Sequence, residues 1–466
     1  MCNPPPIQVN DVHSGLNPTT VNRVETPATL EQLVTIVNAC AQRGEFLSVA
    51  GCRHAMGGQQ FLSNGVLIDT RRLPRILDFD TERGLIRAEA GIQWPELVTA
   101  IRTNLPKWSI RQKQTGADNF TLGGSVSANA HGRGLELAPL VTDVEAFTLL
   151  NADGQLIPCS RAENVDLFRL AIGGYGLFGI VTDVTLRLVP QQRLERLVEI
   201  IPAAELIDRF NQRITEGCTY GDFQFSIDEN SADFLQHGIL SCYRPTNRLR
   251  ADKAQRQLQT ADWLRLLYLA HADRKKVFDE YSALYSSTNG QLYWADTHQL
   301  GPYLPDYAAK IHELGGTQSP ATLMISELYV PREHLAAFLA DAAESLRSSS
   351  ATVIYGTIRL IKKDTESFLA WARESFACII FNLLVEPSNS GKTAAAEAFR
   401  TLIDLAIKRR GSFFLTYHRW ATREQVDACY PQFGQFLALK RQHDPSELFQ
   451  SDWYRHFSLK KAQTFD

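Results

Sequence analysis

Residues 48–61 read SVAGCRHAMGGQQF. The apolar run FLSVAG ahead of the loop reads as a short buried strand. It gives way to Gly51, Gly57 and Gly58, and among them stands His54, in a loop with no evident core to join. Glycines let successive backbone N–H groups turn inward around an anion, the nest arrangement that phosphates exploit. Ala50, Gly51, Cys52, Arg53, Ala55, Gly58 and Gln59 are therefore the candidate cradle, with His54 beside it.

Two further elements have the same character. TGADNFTLGGSVSANAHGRG (115–134) offers Thr115, Gly116, Asn119, Leu122, Gly123, Gly124, Ser127, Ala128 and Gly132. AIGGYGLFGIVTDV (171–184) adds Gly174, Gly179, Ile180 and Val181. A single glycine cluster is ordinarily a turn, and none of the three fits the dinucleotide fingerprint GxGxxG between a strand and a helix. Three within the first 190 residues point instead to one large diphosphate-bearing cofactor.

The chain has 466 residues, enough for two domains with ample core. A formal net charge of -3 argues against a nucleic-acid partner held by phosphate neutralisation. No apolar run approaches the ~20 residues a membrane-spanning helix needs. The opening MCNPPPIQVN has neither the charged nor the apolar region of a secretory signal. Eight scattered cysteines form no CxxC pair, so no metal site or dithiol centre is expected, and free thiols in a reducing cytoplasm are.

Periodicity supplies the frame. TLEQLVTIVNACAQRG puts Leu30, Leu33, Val34, Val37 and Ala41 on one helical face, closed by Gly44. Strand-like pieces follow at 66–69, 76–79 and 85–90, and a helix starts at Trp94. VEAFTLLNADGQLIPCS predicts a hairpin turning at Asp153 and Gly154. Val184, Leu186 and Leu188 alternate until Pro190 ends the strand. Beyond residue 191, strands at 323–330, 352–361 and 378–385 are separated by helices at 331–347 and 391–410. That order predicts a sheet covered on one face by helices.

In this order, the three glycine elements resemble the PCMH-type FAD-binding domain of the vanillyl-alcohol oxidase superfamily over roughly residues 21–190. SVAGCRHAMGGQ resembles its pyrophosphate loop, and LGGSVSANAHGRG and GGYGLFGIVTDV its further flavin-contacting loops. DPSELFQSDWYRHF (444–457) is similar to decaprenylphosphoryl-ribose oxidase and to its alditol- and sugar-lactone-oxidising relatives. The resemblance implies an α+β fold. Residues 1–190 would form the FAD-binding domain of two α+β subdomains, and 191–410 a substrate domain with an antiparallel sheet covered by helices. Residues 411–466 would return to complete the FAD domain. It also implies FAD. In many members a histidine at the place of His54 is bonded to the 8α-methyl carbon of the ring, and Arg53-His54-Ala55 follows the alditol-oxidase pattern. Covalent attachment through His54 is the expectation and noncovalent contact the alternative. No cysteine lies within 116–134, so a second, cysteinyl link is not expected.

Oxidising an alcohol on a flavin requires a proton acceptor or polar clamp over the ring. Glu327 and Tyr329 in LMISELYVP share a strand face. ISEL resembles the I-S-E-I-R segment of alditol oxidases, whose Glu and Arg contact the reacting hydroxyl, with Tyr329 replacing the arginine. Arg359 and Asn382 lie on the strands YGTIRLIK and CIIFNLLV, where a charge needs a partner or a polar site. Arg359 falls where the ribose oxidase has a substrate-side lysine. In FFLTYHRWATREQ, Tyr417 takes the place of that enzyme's active-site lysine, followed by His418; a phenol serves as base only with a strongly lowered pKa. His131 matches an H-G-K segment and is expected to hydrogen-bond at the ring. The plain alternatives are a solvated carboxylate for Glu327, an ion pair for Arg359, a core tyrosine for Tyr417 and a loop-satisfying histidine for His131.

Two motifs are set aside. PSNSGKTAAAEAF imitates the end of a P-loop, but Glu386 stands where its first glycine belongs, and Ser390 reads as a helix cap. The basic stretch 248–276 reads as a solvated helical face rather than a membrane-contacting one. The expectation is a flavoprotein oxidising the CH–OH group of a sugar, polyol or lactone, with oxygen or another electron acceptor as its second partner. The alternatives are cytokinin-dehydrogenase-like CH–NH oxidation and a flavin-binding scaffold without turnover.

Overall fold

The hairpin β1 (Ile7–Val9) and β2 (Thr19–Val21) leads into a three-stranded parallel sheet. That sheet has β5 (Val66–Asp69) between β3 (Arg23–Glu25) and β4 (Leu47–Ala50). The structure is a computed structural model describing residues 6–249, 255–256, 258–301, 306–317, 320–349 and 351–458. Helix α1 (Leu30–Arg43) crosses between β3 and β4. Thr29 caps its start by accepting from the Gln32 N–H, and Gly44, at φ 65°, closes it. Its buried stripe is Leu33, Val37 and Cys40. Cys40 thus takes the inward place expected of Ala41, which is exposed, because the stripe follows the 3.6-residue turn from Val37.

A second, five-stranded antiparallel sheet takes the order β10-β9-β11-β7-β6. Its strands are β6 (Ile76–Asp80), β7 (Leu85–Glu89), β9 (Val144–Leu150), β10 (Leu156–Ser160) and β11 (Ile180–Arg187). Gly154, at φ 74°, makes the turn between β9 and β10. Helices α2 (Trp94–Asn104), α3 (Leu122–Ser127) and α4 (Val165–Ala171) belong to this unit. The short pair β8 (Trp108–Ser109) and β12 (Val189–Pro190) closes it.

The rest centres on an eight-stranded antiparallel sheet, ordered β16-β13-β15-β14-β18-β19-β17-β20. It is built from β13 (Arg193–Pro202), β14 (Tyr220–Phe225), β15 (His237–Thr246), β16 (Leu292–Trp294), β17 (Thr322–Pro331), β18 (Thr352–Ile361), β19 (Phe376–Val385) and β20 (Ser412–Phe413). Its register alternates two faces. Phe223, Leu328, Ile358, Ile379 and Phe381, all fully buried, point one way, toward α5 (Leu206–Thr215), α9 (Leu335–Ser348) and α10 (Asn389–Ile407). Arg196, Asp222, Arg359 and Glu327 point the other way.

Helices therefore lie on both faces rather than one. The Tyr285 ring of α7 (Arg274–Ser287) lies 4.1 Å from the Arg196 guanidinium on the polar face, and α6 (Thr260–Ala272) packs beside α7. Charged groups on a buried sheet face need polar cover, which an apolar strand pattern does not announce. The stretch 248–276 is used internally here: Leu266, Leu269 and Ala270 of α6 are buried and Arg265 pairs with Glu280. Residues 250–254 and 257 of it lie outside the described residues. Ser388, not Ser390, caps α10, because its Oγ accepts from the Gly391 N–H at 3.1 Å three residues on. Helix α8 (Tyr307–Glu313) precedes β17.

Helices α11 (Arg423–Cys429), α12 (Phe433–His443) and α13 (Asp452–Ser458) are the last described elements. Between the last two, Leu47 of β4 donates to the Leu448 carbonyl at 2.7 Å and accepts from the Gln450 N–H at 2.8 Å, extending the first sheet at its open edge. Asp444 holds this turn, accepting from the Leu448 and Phe449 N–H groups and from buried Lys440. Among the described residues no helix is long and apolar enough to cross a membrane.

Candidate functional site

The three glycine elements converge on one cleft of about 1280 Å³ of atom-free space, counting that open to solvent at its mouth. Residues 51–60 form one wall, 114–130 another and 175–181 the floor, while Ile325, Phe414, Thr416 and Tyr417 close it on the side of the large sheet. Gly51 is where the walls meet: a Cβ there would stand 2.0 Å from the Thr121 Oγ1. Across the cleft a Cβ on Gly179, whose φ is +140°, would stand 2.5 Å from the Leu150 carbonyl oxygen. Bare backbone is therefore the lining itself. Arg53 adopts φ 63°, and the N–H groups of Cys52, Arg53 and Ala55 donate to no group among the described residues. A run left open, turned by a left-handed residue, suits the pyrophosphate of FAD.

His54 stands in this wall, with its ring centroid 4.1 Å from that of Phe120 and only 9% of its surface exposed. Burial, assisted by nearby His13 and opposed by hydrogen bonding with Asn119, pushes its pKa down to about 4. The ring is neutral at physiological pH, one nitrogen carrying the proton and the other a lone pair.

Of the sequence-derived cofactor residues, the cleft is lined by Gly51, Cys52, Arg53, His54, Ala55 and Gln59 from the first element. Thr115, Gly116, Gly123, Gly124, Ser127 and Ala128 line it from the second, and Gly179, Ile180 and Val181 from the third. Six do not line it. Ala50 faces the core beside Phe61 and Leu67, and Leu122 is buried in the main core. Gly58 packs beside Arg419, Gly132 against the Lys113 carbonyl and Gly174 against that of Leu170. Asn119 acts on the cleft through His54. Sequence reasoning missed Thr121, Ser125, Tyr175 and Thr416. Thr121 caps α3 and the Tyr175 hydroxyl bonds Thr416, so a helix-cap signal was available for the first of these alone.

Behind Tyr417, the polar face of the large sheet presents a buried charge cluster. The Glu327 Oε1 accepts from the His131 Nε2 at 2.7 Å, from the Cys378 thiol at 3.5 Å and from the Tyr329 hydroxyl. The His131 Nδ1 faces the Gly132 carbonyl at 3.1 Å. Burial works to raise the Glu327 pKa, but His131, Tyr329 and Arg359 together hold it below the usual carboxyl value. Burial first, then the Glu327 charge, push the Tyr417 phenol well above its usual value, so it stays protonated. The Nε2, Oε1 and Sγ atoms of His131, Glu327 and Cys378 lie within 4.8 Å of one another, a spacing open to a metal ion where none was expected.

Register orders this face. Tyr329 and Arg359 both stand opposite Cys378, and Glu327 stands opposite Ile380. Asn382, between Ile325 and Tyr355, is half-buried two rows away from Arg359. His418 does not join the cluster. Its ring packs against Trp420 and Phe399 of α10, because the chain leaves the cleft after Tyr417 and turns toward the helical layer. Only Tyr417 of the proposed chemical residues lines the cleft itself.

Comparison with known proteins fits this geometry. The FAD binding domain family matches residues 21–160. L-gulonolactone oxidase of Scyliorhinus torazame is 22% identical over 467 residues, covering 92% of this chain and 93% of that protein. The Bos taurus L-gulonolactone oxidase is 27% identical over 211 residues, covering 45% of this chain and 47% of its own length. L-gulono-1,4-lactone dehydrogenase of Mycobacterium tuberculosis is 20% identical over 436 residues, covering 92% of this chain and 94% of that protein.

Proposed function

From its place among PCMH-type FAD oxidoreductases of the sugar-lactone oxidase group, we propose that this chain oxidises a CH–OH group of a sugar, polyol or sugar lactone. The observation carrying this reading is the meeting of two features: an amide-lined cleft, and a buried carboxylate cluster reached past Tyr417. Residues 1–190 with 411–466 would hold FAD, and 191–410 would roof it. FAD bound in the cleft supplies the hydride acceptor.

The protein's own groups do the rest. The 52–55 amides hold the pyrophosphate. His54, neutral and at the wall, is the residue to hold the ring covalently. Glu327, kept ionised, is the group able to take the hydroxyl proton, with His131 and Tyr329 fixing its orientation. Tyr417 orients the substrate as a donor rather than a base. Arg359 supplies positive charge beside the oxygen that develops negative charge. Oxygen or another acceptor reoxidises the cofactor. The seven described cysteines are free thiols, which fits a reducing compartment.

Purified protein tests the reading. Flavin should stay with the acid-precipitated pellet and be released from His54→Ala, and a sugar, polyol or lactone should bleach it anaerobically. A colourless protein that takes up no FAD would end the proposal. A yellow protein inert to every such alcohol would leave only a binding role.

A further inference from the structure

Further along the polar face of the large sheet, two adjacent strands carry four buried polar side chains, and Asp222, Gln224 and Thr357 have no part in the steps above. Phe223 of β14 stands opposite Ile358 of β18, which sets Asp222 across from Arg359 and Gln224 across from Thr357. They are 3%, 5%, 1% and 8% exposed for Asp222, Gln224, Thr357 and Arg359. In each, a buried atom has no hydrogen-bond partner among the described residues: Asp222 Oδ1, Gln224 Oε1, Thr357 Oγ1 and Arg359 Nε. The other Asp222 oxygen, Oδ2, accepts from the Gln224 amide at 2.7 Å, and Oδ1 has only the Arg133 guanidinium, 4.0 Å away and beyond hydrogen-bond reach. Arg359 makes no hydrogen bond or ion pair with any described residue. Roughly nine in ten buried polar groups are satisfied, so four open ones on facing positions of neighbouring strands mark a place for a ligand.

The donor set identifies its chemistry. A carboxylate would satisfy Arg359 but meet the Asp222 and Gln224 oxygens with further acceptors. An ammonium would do the reverse. Hydroxyls both donate and accept, so adjacent hydroxyls satisfy all four. The way in is the next row of the face, Tyr355, Asn382 and Ile325. There Tyr355 keeps 40% of its surface exposed, and Ile325 lines the cleft.

We propose that Asp222, Gln224 and Thr357, with Arg359 shared between them and the reacting oxygen, bind the hydroxyl groups of the substrate that lie beyond the carbon being oxidised, making them the determinants of chain length. This rests on the function proposed above.

The test is a series of alditols of three to six carbons, with the matching lactones, in steady-state turnover with oxygen or a dye as electron acceptor, beside anaerobic flavin bleaching. In the wild type KM should fall as hydroxyls are added. In Thr357→Val and Asp222→Asn the rise in KM should grow with hydroxyl number, reaching about tenfold to a hundredfold for the longest member, with the loss mainly in KM rather than kcat. Thr357→Val keeps the side-chain shape and stands in should Asp222→Asn not fold. A rise equal for all members, or no rise, overturns the proposal. Calorimetric binding of the six-carbon alditol to the flavin-loaded protein separates the two claims. Binding without bleaching, weakened by Thr357→Val, sinks the oxidation and keeps the hydroxyl site. Bleaching with an unaltered KM series, or neither bleaching nor binding, sinks the hydroxyl site.

Discussion

If His54 is held neutral by desolvation, the fold must lose stability as pH falls, and the loss can be sized. The ring's pKa is about 4 in the folded chain against 6.5 for the free side chain. A folded value below the unfolded one means that, between those limits, the unfolded chain binds the extra proton and the folded chain does not. Stability is unaffected above pH 7, falls as pH drops from about 6.5, and levels off below about 4. The span of about 2.5 pH units corresponds to about 3 kcal/mol. The assay is urea unfolding of flavin-free protein followed by tryptophan fluorescence from pH 7.5 to 4, in the wild type and His54→Ala. Other groups titrate in both proteins, including His13, whose pKa burial also lowers. The difference between the two proteins isolates the ring, and it should move by about 3 kcal/mol in favour of the variant at low pH. A gap constant to within about 1 kcal/mol would falsify the account of a dry, neutral imidazole and remove the reason for expecting it to be a nucleophile.

Two further perturbations probe the cleft and the cluster. Glu327→Gln takes the charge from an oxygen that accepts from His131, Tyr329 and Cys378. It should slow anaerobic flavin reduction at least about a hundredfold and lower stability by about 2 kcal/mol, the cost of weakening hydrogen bonds to a buried charge; stopped-flow bleaching at the wild-type rate rejects Glu327 as proton acceptor. Gly51→Ala brings a methyl to within 2.0 Å of the Thr121 Oγ1, so the two walls must part. FAD retention, read as the flavin-to-protein absorbance ratio after gel filtration, should drop about tenfold or more, and full retention would show that the walls do not need to touch.

The parts of the molecule legible in the sequence are those fixed by neighbours along the chain. Helix α1 was written in the spacing of Leu33 and Val37 and in its terminal Thr29 and Gly44. The β9–β10 hairpin was written in Asp153 and Gly154. The cradle was written in glycines whose missing side chains make room for the opposite wall. The residues that escaped depend on pairing across long stretches. In YGDFQF the alternation of Asp222 and Gln224 with Phe223 is visible, but which neighbours they meet is set by β18, more than a hundred residues later. Tyr175 and Thr416 meet in the cleft floor from positions 241 residues apart, and neither has a local pattern. His418 was placed with Tyr417 on sequence adjacency, but the chain turns between them.

The exchange of arginine for tyrosine at position 329 shows what register adds to sequence likeness. Compared along the strand, ISEL followed by Tyr329 has lost the cation expected beside Glu327. Compared across the sheet, it has not. Tyr329 stands opposite Cys378, and Cys378 stands opposite Arg359 on its other side, so a guanidinium occupies the same row two strands away. The tyrosine keeps a donor on the Glu327 oxygen, and Arg359 still lowers the carboxyl pKa from its new position. Separating the two tasks has a chemical consequence. An arginine beside the carboxylate would be tied to it in a fixed ion pair, whereas Arg359 makes no such pair among the described residues, which under the proposed function leaves its N–H groups to the substrate. On the proposed function, the cluster holds Glu327 ionised with neutral and histidine donors and leaves Arg359 to the substrate hydroxyls.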